Sequence, residues 1–220
     1  MELRVGDATF RPSTISTLLA DALHFKPGSV VVDVGTGSGI LSIIAAKLGA
    51  GKVYGVDAAP ETVEIATANA KAHGVDDVVE FAEGDMFEPL GDLEADVVIG
   101  DVSGIPDDIA SASGWFPSGL SGGPTGAELP MRMIEESKRL LKKGGSLFLP
   151  TGSLQDETSI LDRAKSVFGS MKQLAEKNIP LPTALAEDPA VVRMFKDKVI
   201  ALKQRGSRFQ WTARVWEIEA

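Results

Sequence analysis

The sequence predicts an α/β fold on a mostly parallel sheet. Three observations carry that expectation. Short β-branched runs alternate with helix-like stretches over the first two thirds of the chain. The run at 29–34 is apolar apart from Ser29 and Asp33, as a strand buried on both faces should be. A glycine turn then joins that run directly to a helical pattern. No internal repeat interrupts the series. The 220 residues suit a single domain, 1–220. Its expected parts are an N-terminal segment 1–28, a ligand-binding core 29–150, and a C-terminal part 151–220 with a helical insertion before the last strand.

Each element has a local reason. The glycines from Gly35 to Gly39 break the first strand, and Gly49 stops the helix predicted over 40–48. A second strand is expected at 52–57. Pro60 suits the first turn of the next helix, which should run to His73 and stop at Gly74. Strands follow at 78–82 and 95–100. A helix at 128–142 ends before Gly144-Gly145, and a strand occupies 146–150. Right-handed crossovers between parallel strands follow from this order. The segment 102–126 is rich in Gly and Ser, with Trp115 and Phe116 inside it, and reads as a mobile substrate lid. A helix is predicted over 190–204. The stretch 209–218 alternates as a strand with one polar face, its Trp residues packed in the core.

Composition removes several classes of function. The net charge of −9 repels phosphate backbones and disfavours nucleic acid as a partner. No Cys is present, so disulfides, thiolate metal sites and Cys nucleophiles are excluded. Two His, His24 and His73, are too few for a His-rich metal site, and no metal is expected. Ser-His-Asp catalysis is disfavoured, because neither His falls at the carboxyl edge of a predicted strand and no G-x-S-x-G elbow joins a predicted strand to a helix. No apolar run is long enough to span a bilayer, and the N-terminus shows no apolar signal core. A cytoplasmic protein is the expectation.

The chemistry concentrates in Asp33-Val34-Gly35-Thr36-Gly37-Ser38-Gly39. A glycine turn between a buried strand and a helix lets the backbone approach a ligand. The spacing is G-x-G-x-G, not the G-x-G-x-x-G of dinucleotide enzymes. Asp33, two positions before the first glycine, would repel a pyrophosphate but can accept from an ammonium. Asp57 closes the second strand, where a carboxylate can take both hydroxyls of a ribose. Asp85 can accept from an exocyclic amine while Met86 packs on an adenine face.

These motifs, in this order, resemble those of class I S-adenosylmethionine-dependent methyltransferases. The resemblance covers about residues 10 to 155. It implies a Rossmann-like, three-layer αβα sandwich with a seven-stranded sheet whose last strand is antiparallel. It also implies S-adenosyl-L-methionine as cofactor, held by Asp33, Gly35, Thr36, Gly37, Gly39, Asp57, Ala58, Asp85, Met86 and Asp101. A narrower resemblance is to the methyltransferases of glutamine in release factors and ribosomal proteins. Phe10-Arg11-Pro12-Ser13-Thr14-Ile15-Ser16 is similar to their F-x-P-x-x-x-T, which adds Phe10, Pro12 and Ser16 to the implied cofactor site. Gly122-Gly123-Pro124-Thr125-Gly126 is similar to their G-G-x-D-G, and Leu140 to Gly145 to the leucine–glycine turn that follows. The departure lies after the fourth strand. Where that group carries N-P-P-Y, this chain has Asp101-Val102-Ser103-Gly104.

A planar amide asks for one acceptor and one donor, and an ionised Asp offers only acceptors. The sequence therefore predicts an acceptor with hydrogens to give, an amine or hydroxyl of a protein side chain or small molecule. Asp101 would orient it or take its proton, with Ser103 as a further catalytic candidate. Two alternatives stay open: a non-catalytic cofactor-binding partner or sensor, and, disfavoured by the glycine spacing, a nicotinamide oxidoreductase.

Overall fold

The computed structural model describes residues 2–6, 12–115 and 121–220. Five parallel strands form the first part of one sheet: β1 (Val30–Val34), β2 (Lys52–Asp57), β3 (Val79–Glu83), β4 (Ala95–Gly100) and β5 (Leu141–Gly152). β6 (Met171–Pro180), β7 (Lys203–Arg205) and β8 (Arg208–Glu219) complete it, in the order β3-β2-β1-β4-β5-β8-β6, with β7 paired to β8. Strand order reverses between β1 and β4, so their carboxyl ends open a crevice, the usual ligand position in such sheets.

The helices are α1 (Thr14–Ala22), α2 (Ile40–Lys47), α3 (Pro60–Ala72), α4 (Asp107–Ser113), α5 (Glu128–Leu140), α6 (Glu157–Phe168), α7 (Thr183–Ala186) and α8 (Pro189–Lys196). They cover a core in three parts. One lies under α5 and α6 and includes Phe87, Met133 and Leu147. A second includes Leu19, Ile43 and Phe148. A third joins α4, α7 and α8 around Ile109, Leu154, Val191 and Trp211. Among the described residues, no helix is long and apolar enough to cross a membrane.

The α/β class and mostly parallel sheet hold, with corrections in detail. Seven strands make the main order, and β7 is an addition. As expected, the last strand is antiparallel: β8 runs opposite to both neighbours, β5 and β6. The expected helix over 190–204 ends at Lys196 instead, and Lys198 adopts φ +61°. Residues Lys203–Arg205 then pair with β8 across a two-residue turn, Gly206-Ser207, with Gly206 at φ +63°. Such a turn matches the twist of flanking strands, which is why strand wins here. β6 was not anticipated. Its sequence, MKQLAEKNIP, is polar and largely exposed, and its partner β8 holds it as an edge strand.

The segment expected as a mobile lid contains α4, and its Gly122–Gly126 turn is tied down. Gly122 N–H donates to Ile105 O (2.8 Å), and Gly123 O accepts from Asp107 N–H (3.0 Å). Ile109, fully buried, plugs α4 into the third core. Phe116 lies outside the described residues. Ile109→Ala should therefore cost about 2–4 kcal/mol in urea unfolding, as for other buried aliphatic truncations. A loss below about 0.5 kcal/mol, the level of an exposed site, would mean that α4 is not packed as described.

Candidate active site

A cleft of about 810 Å³ opens at the carboxyl ends of β1, β2, β4 and β5. That volume suits a sizeable small molecule. Its inner wall is the turn after β1. Gly35 and Gly37 have φ of +74° and +53°, the left-handed region that favours glycine. A Cβ on Gly35 would lie 3.0 Å from Asp101 O, so the turn and the end of β4 nearly touch. Gly39 differs: it is the N-cap of α2 and is absent from the cleft lining. A Cβ there would meet Phe81 at 3.0 Å and Ala66 at 3.1 Å, so Gly39 lets α2 pack rather than a ligand approach.

Asp33 is fully buried behind the turn and is likewise absent from the lining. Its Oδ2 accepts from Thr36 Oγ1 and Ser42 Oγ, each at 2.7 Å. Oδ1 is buried with no partner among the described residues. Burial pushes this carboxyl up to about 6, against the hydrogen bonds that favour its charge. In this structure Asp33 laces the turn to α2.

Asp57, at the end of β2, lines the cleft with Ala58. Each of its oxygens already accepts one backbone N–H, Oδ2 from Gly37 (2.9 Å) and Oδ1 from Ala59 (3.0 Å). A carboxylate oxygen has two lone pairs, so each keeps one for a ligand hydroxyl. The carboxylate is thereby pre-aimed. Asp85 and Met86 also line the cleft. The expected free acceptor at Asp85 is instead forked by Arg132 of α5, with Nη1 3.0 Å from Oδ1 and Nη2 2.8 Å from Oδ2. The pair is exposed, so little energy opposes its opening. Met86 sits at φ +54°, uncommon for a side-chain-bearing residue, and is buried against the first core.

Asp101 lies just past β4 and lines the cleft. Ser16 Oγ donates to its Oδ2 at 2.9 Å, and Oδ1 makes no hydrogen bond among the described residues. The geometry begins at Ser13, whose side chain accepts from Ile15 and Ser16 N–H and caps α1. Ser16 itself lines the cleft, and its hydroxyl also fixes Asp101. Burial, partly offset by Ser16 and reinforced by the nearby Asp33 charge, pushes the Asp101 carboxyl up to about 6. Pro12 and Ser103 also line the cleft, and Ser103 Oγ is buried without a partner among the described residues. Phe10 lies outside the described residues.

Trp115, from the segment expected as a lid, also lines the cleft. Ile179, Pro180 and Trp211, with Gln155 from the β5–α6 connection, were not foreseen there. Trp211 was expected purely as core. It is 6% exposed and packs in the third core, yet one edge reaches the cleft. Position at the carboxyl end of β5 is the signal that would have singled out Gln155.

The family of ribosomal protein L11 methyltransferases matches residues 12–103. The L11 methyltransferase of Anoxybacillus flavithermus is 34% identical over 144 residues, 66% of this chain and 38% of that protein. A putative protein N5-glutamine methyltransferase of Methanocaldococcus jannaschii is 29% identical over 181 residues, covering 82% of this chain and 90% of the relative. The chain is thus similar to protein methyltransferases over most of its length. A solved precorrin-6Y C5,15-methyltransferase from Geobacter metallireducens shares the fold, with a TM-score of 0.61, 15% identity, and coverage of 99% of this chain and 94% of that one. The chain spans 38% of the length of the L11 methyltransferase that it matches.

The raised carboxyl of Asp101 has a consequence for stability. Its folded value, about 6, lies above the ordinary 3.8, so the folded state binds a proton more readily between those pH values. Relative to Asp101→Asn, the wild type should gain stability as pH falls from 7 toward 4. The slope can reach about 1.4 kcal/mol per pH unit for one proton. The gain is fully present below pH 3.8 and lost as pH rises through about 6. Denaturation of both proteins across this range checks it; a difference that is flat with pH would remove the buried carboxylate.

Proposed function

We propose that this chain transfers a methyl group from S-adenosylmethionine to a nitrogen or oxygen nucleophile delivered to Asp101. The observation that carries the reading is the single cleft lined at once by the Gly35–Gly37 turn, Asp57 and Asp101. Within it, residues 29–150 hold the cofactor and residues 151–220 contribute the acceptor side. The L11 and glutamine methyltransferase names among the relatives support a protein side chain as acceptor, with a small molecule as the other possibility. The protein works in the cytoplasm on this reading.

The residues present fit the cofactor. Asp57 has one lone pair per oxygen for ribose hydroxyls, and the glycines let backbone amides approach. Met86 offers an apolar face, with Asp85 available if Arg132 swings aside. Bound there, S-adenosylmethionine supplies an electrophilic methyl on a cationic sulfur. The protein's part is alignment of the nucleophile with that methyl. Ser16 holds Asp101 Oδ2, so Oδ1 can accept the N–H or O–H of the acceptor and orient its lone pair. As the nucleophile gives up its proton, Asp101 takes it and passes it to solvent. A carboxyl titrating at about 6 is ionised at neutral pH and basic enough for this task.

Calorimetry with S-adenosylhomocysteine tests the cofactor half. Asp57→Ala should weaken binding roughly 10- to 100-fold, the loss of a charged acceptor. Unchanged affinity would take Asp57 out of the site. Turnover with labelled cofactor on cell extract tests the rest. Asp101→Asn should lower the rate by about 10²–10⁴ while cofactor affinity stays within a few-fold. The wild-type kcat/KM should fall as pH drops below about 6, where Asp101 protonates. A variant as active as wild type, with the same pH profile, would leave Asp101 as a turn residue.

A further inference from the structure

Charge is segregated along this chain. Between Gly74 and Met131 stand 13 Asp and Glu and no Lys, Arg or His. Over 193–208 the balance reverses, with six Lys and Arg against one acid, Asp197, in a chain of net charge −9. That segment spans the end of α8, the connection after it and the turn from β7 to β8. Two of its cations are engaged. Arg193 pairs with Asp108, and Lys203 Nζ lies 3.1 Å from Asn178 Oδ1 and 3.8 Å from Glu176 Oε1. Lys196, Lys198, Arg205 and Arg208 are exposed and form no ion pair among the described residues. Phe195, beside Lys196, is 40% exposed, and its ring meets that of Phe209 edge-on with centroids 6.4 Å apart. This aromatic contact ties α8 to the β7–β8 hairpin and gathers the cations of both. The patch borders the cleft: Lys203 pairs in register with Gln210, and Gln210 with Pro180 of the cleft wall.

We propose that this patch docks an acidic segment of a partner polypeptide, with an apolar side chain of that segment against Phe195. Clustered cations of one sign repel one another, and arriving carboxylates relieve that repulsion. The same cluster steers an anionic partner to the mouth of the cleft. Phe195 adds a contact that charge alone does not supply. The rest of the surface chooses between anions. A nucleic acid carries a phosphate at every nucleotide and would run from the patch onto α4, where Asp107 and Asp108 are exposed. A polypeptide can set its carboxylates over the patch and be neutral beyond it. The proposal goes beyond the methyltransferase reading and holds whatever reaction the cleft performs.

Two probes are titrated by calorimetry into the full chain: an end-blocked octapeptide, Glu-Glu-Phe-Glu-Glu-Phe-Glu-Glu, and a single strand of eight thymidines. The peptide should bind with a micromolar Kd at about 50 mM salt and weaken about tenfold or more at about 300 mM. The double variants Arg205→Glu with Arg208→Glu, and Lys196→Glu with Lys198→Glu, should each weaken it at least about tenfold, and Phe195→Ser about threefold. Lys143→Glu with Lys165→Glu makes the same change of charge at exposed sites on β5 and α6, and should leave the affinity within about twofold. Thermal unfolding midpoints of the charge variants should match the wild type, because exposed sites are altered. No binding of the peptide overturns the proposal, as does unchanged affinity in both patch variants or an equal loss in the Lys143 and Lys165 variant. Tighter binding of the thymidine strand, lost in the same patch variants, also overturns it and assigns the patch to nucleic acid.

Discussion

The near-contact between the turn after β1 and the end of β4 governs the rest of the site. With Gly35 bare, its backbone lies against Asp101 O, where a Cβ would stand 3.0 Å away. Burial raises the proton affinity of both Asp33 and Asp101, and the charge of Asp33 raises that of Asp101 further. The same contact forms the floor of the cleft. Any side chain at 35 would have to push β4's exit aside, and Asp101 would move with it.

Around that floor the chain divides the work between scaffolding and contact. Hydrogen bonds from Ser16, Thr36 and Ser42 satisfy one oxygen of each buried carboxyl. Asp57 is held by the very turn it faces, through Gly37. Glu128 accepts from Thr125 and Ala127 N–H, which stiffens the glycine turn under Gly104 and Gln155. Functional groups are thus set by neighbours that are themselves fixed, which is what alignment of two reactants requires.

Much of this is legible in the residues alone. Buried strands announce themselves by continuous apolar runs, so β1, β2 and β4 could be placed within a residue or so. Glycine spacing and the acidic residues at strand ends pointed to the crevice where the cleft lies. What pattern could not give is tertiary. β6 is polar along its length and is a strand only because β8 pairs with it. Gly39 looks like Gly35 and Gly37 in sequence, yet Phe81 and Ala66, distant along the chain, decide its role. Arg132 reaches Asp85 across 47 residues, and no local signal foretells that fork. Gln155 carries no motif at all and comes to line the cleft only through the fold.

The insertion of β8 between β5 and β6 bears on how the chain reaches this state. β5 and β6 precede β8 in sequence, and neither pairs with the other. During vectorial synthesis both are made before the strand that joins them, and until it docks they present open hydrogen-bonding edges. On β5 that edge borders Leu147 and Leu149, side chains destined for full burial. Long-range pairing of this kind is slow, and open apolar edges invite pairing with other molecules. The arrival of β8 is then the step that closes the sheet, and substitutions weakening its pairing should be felt first as poor recovery of soluble protein.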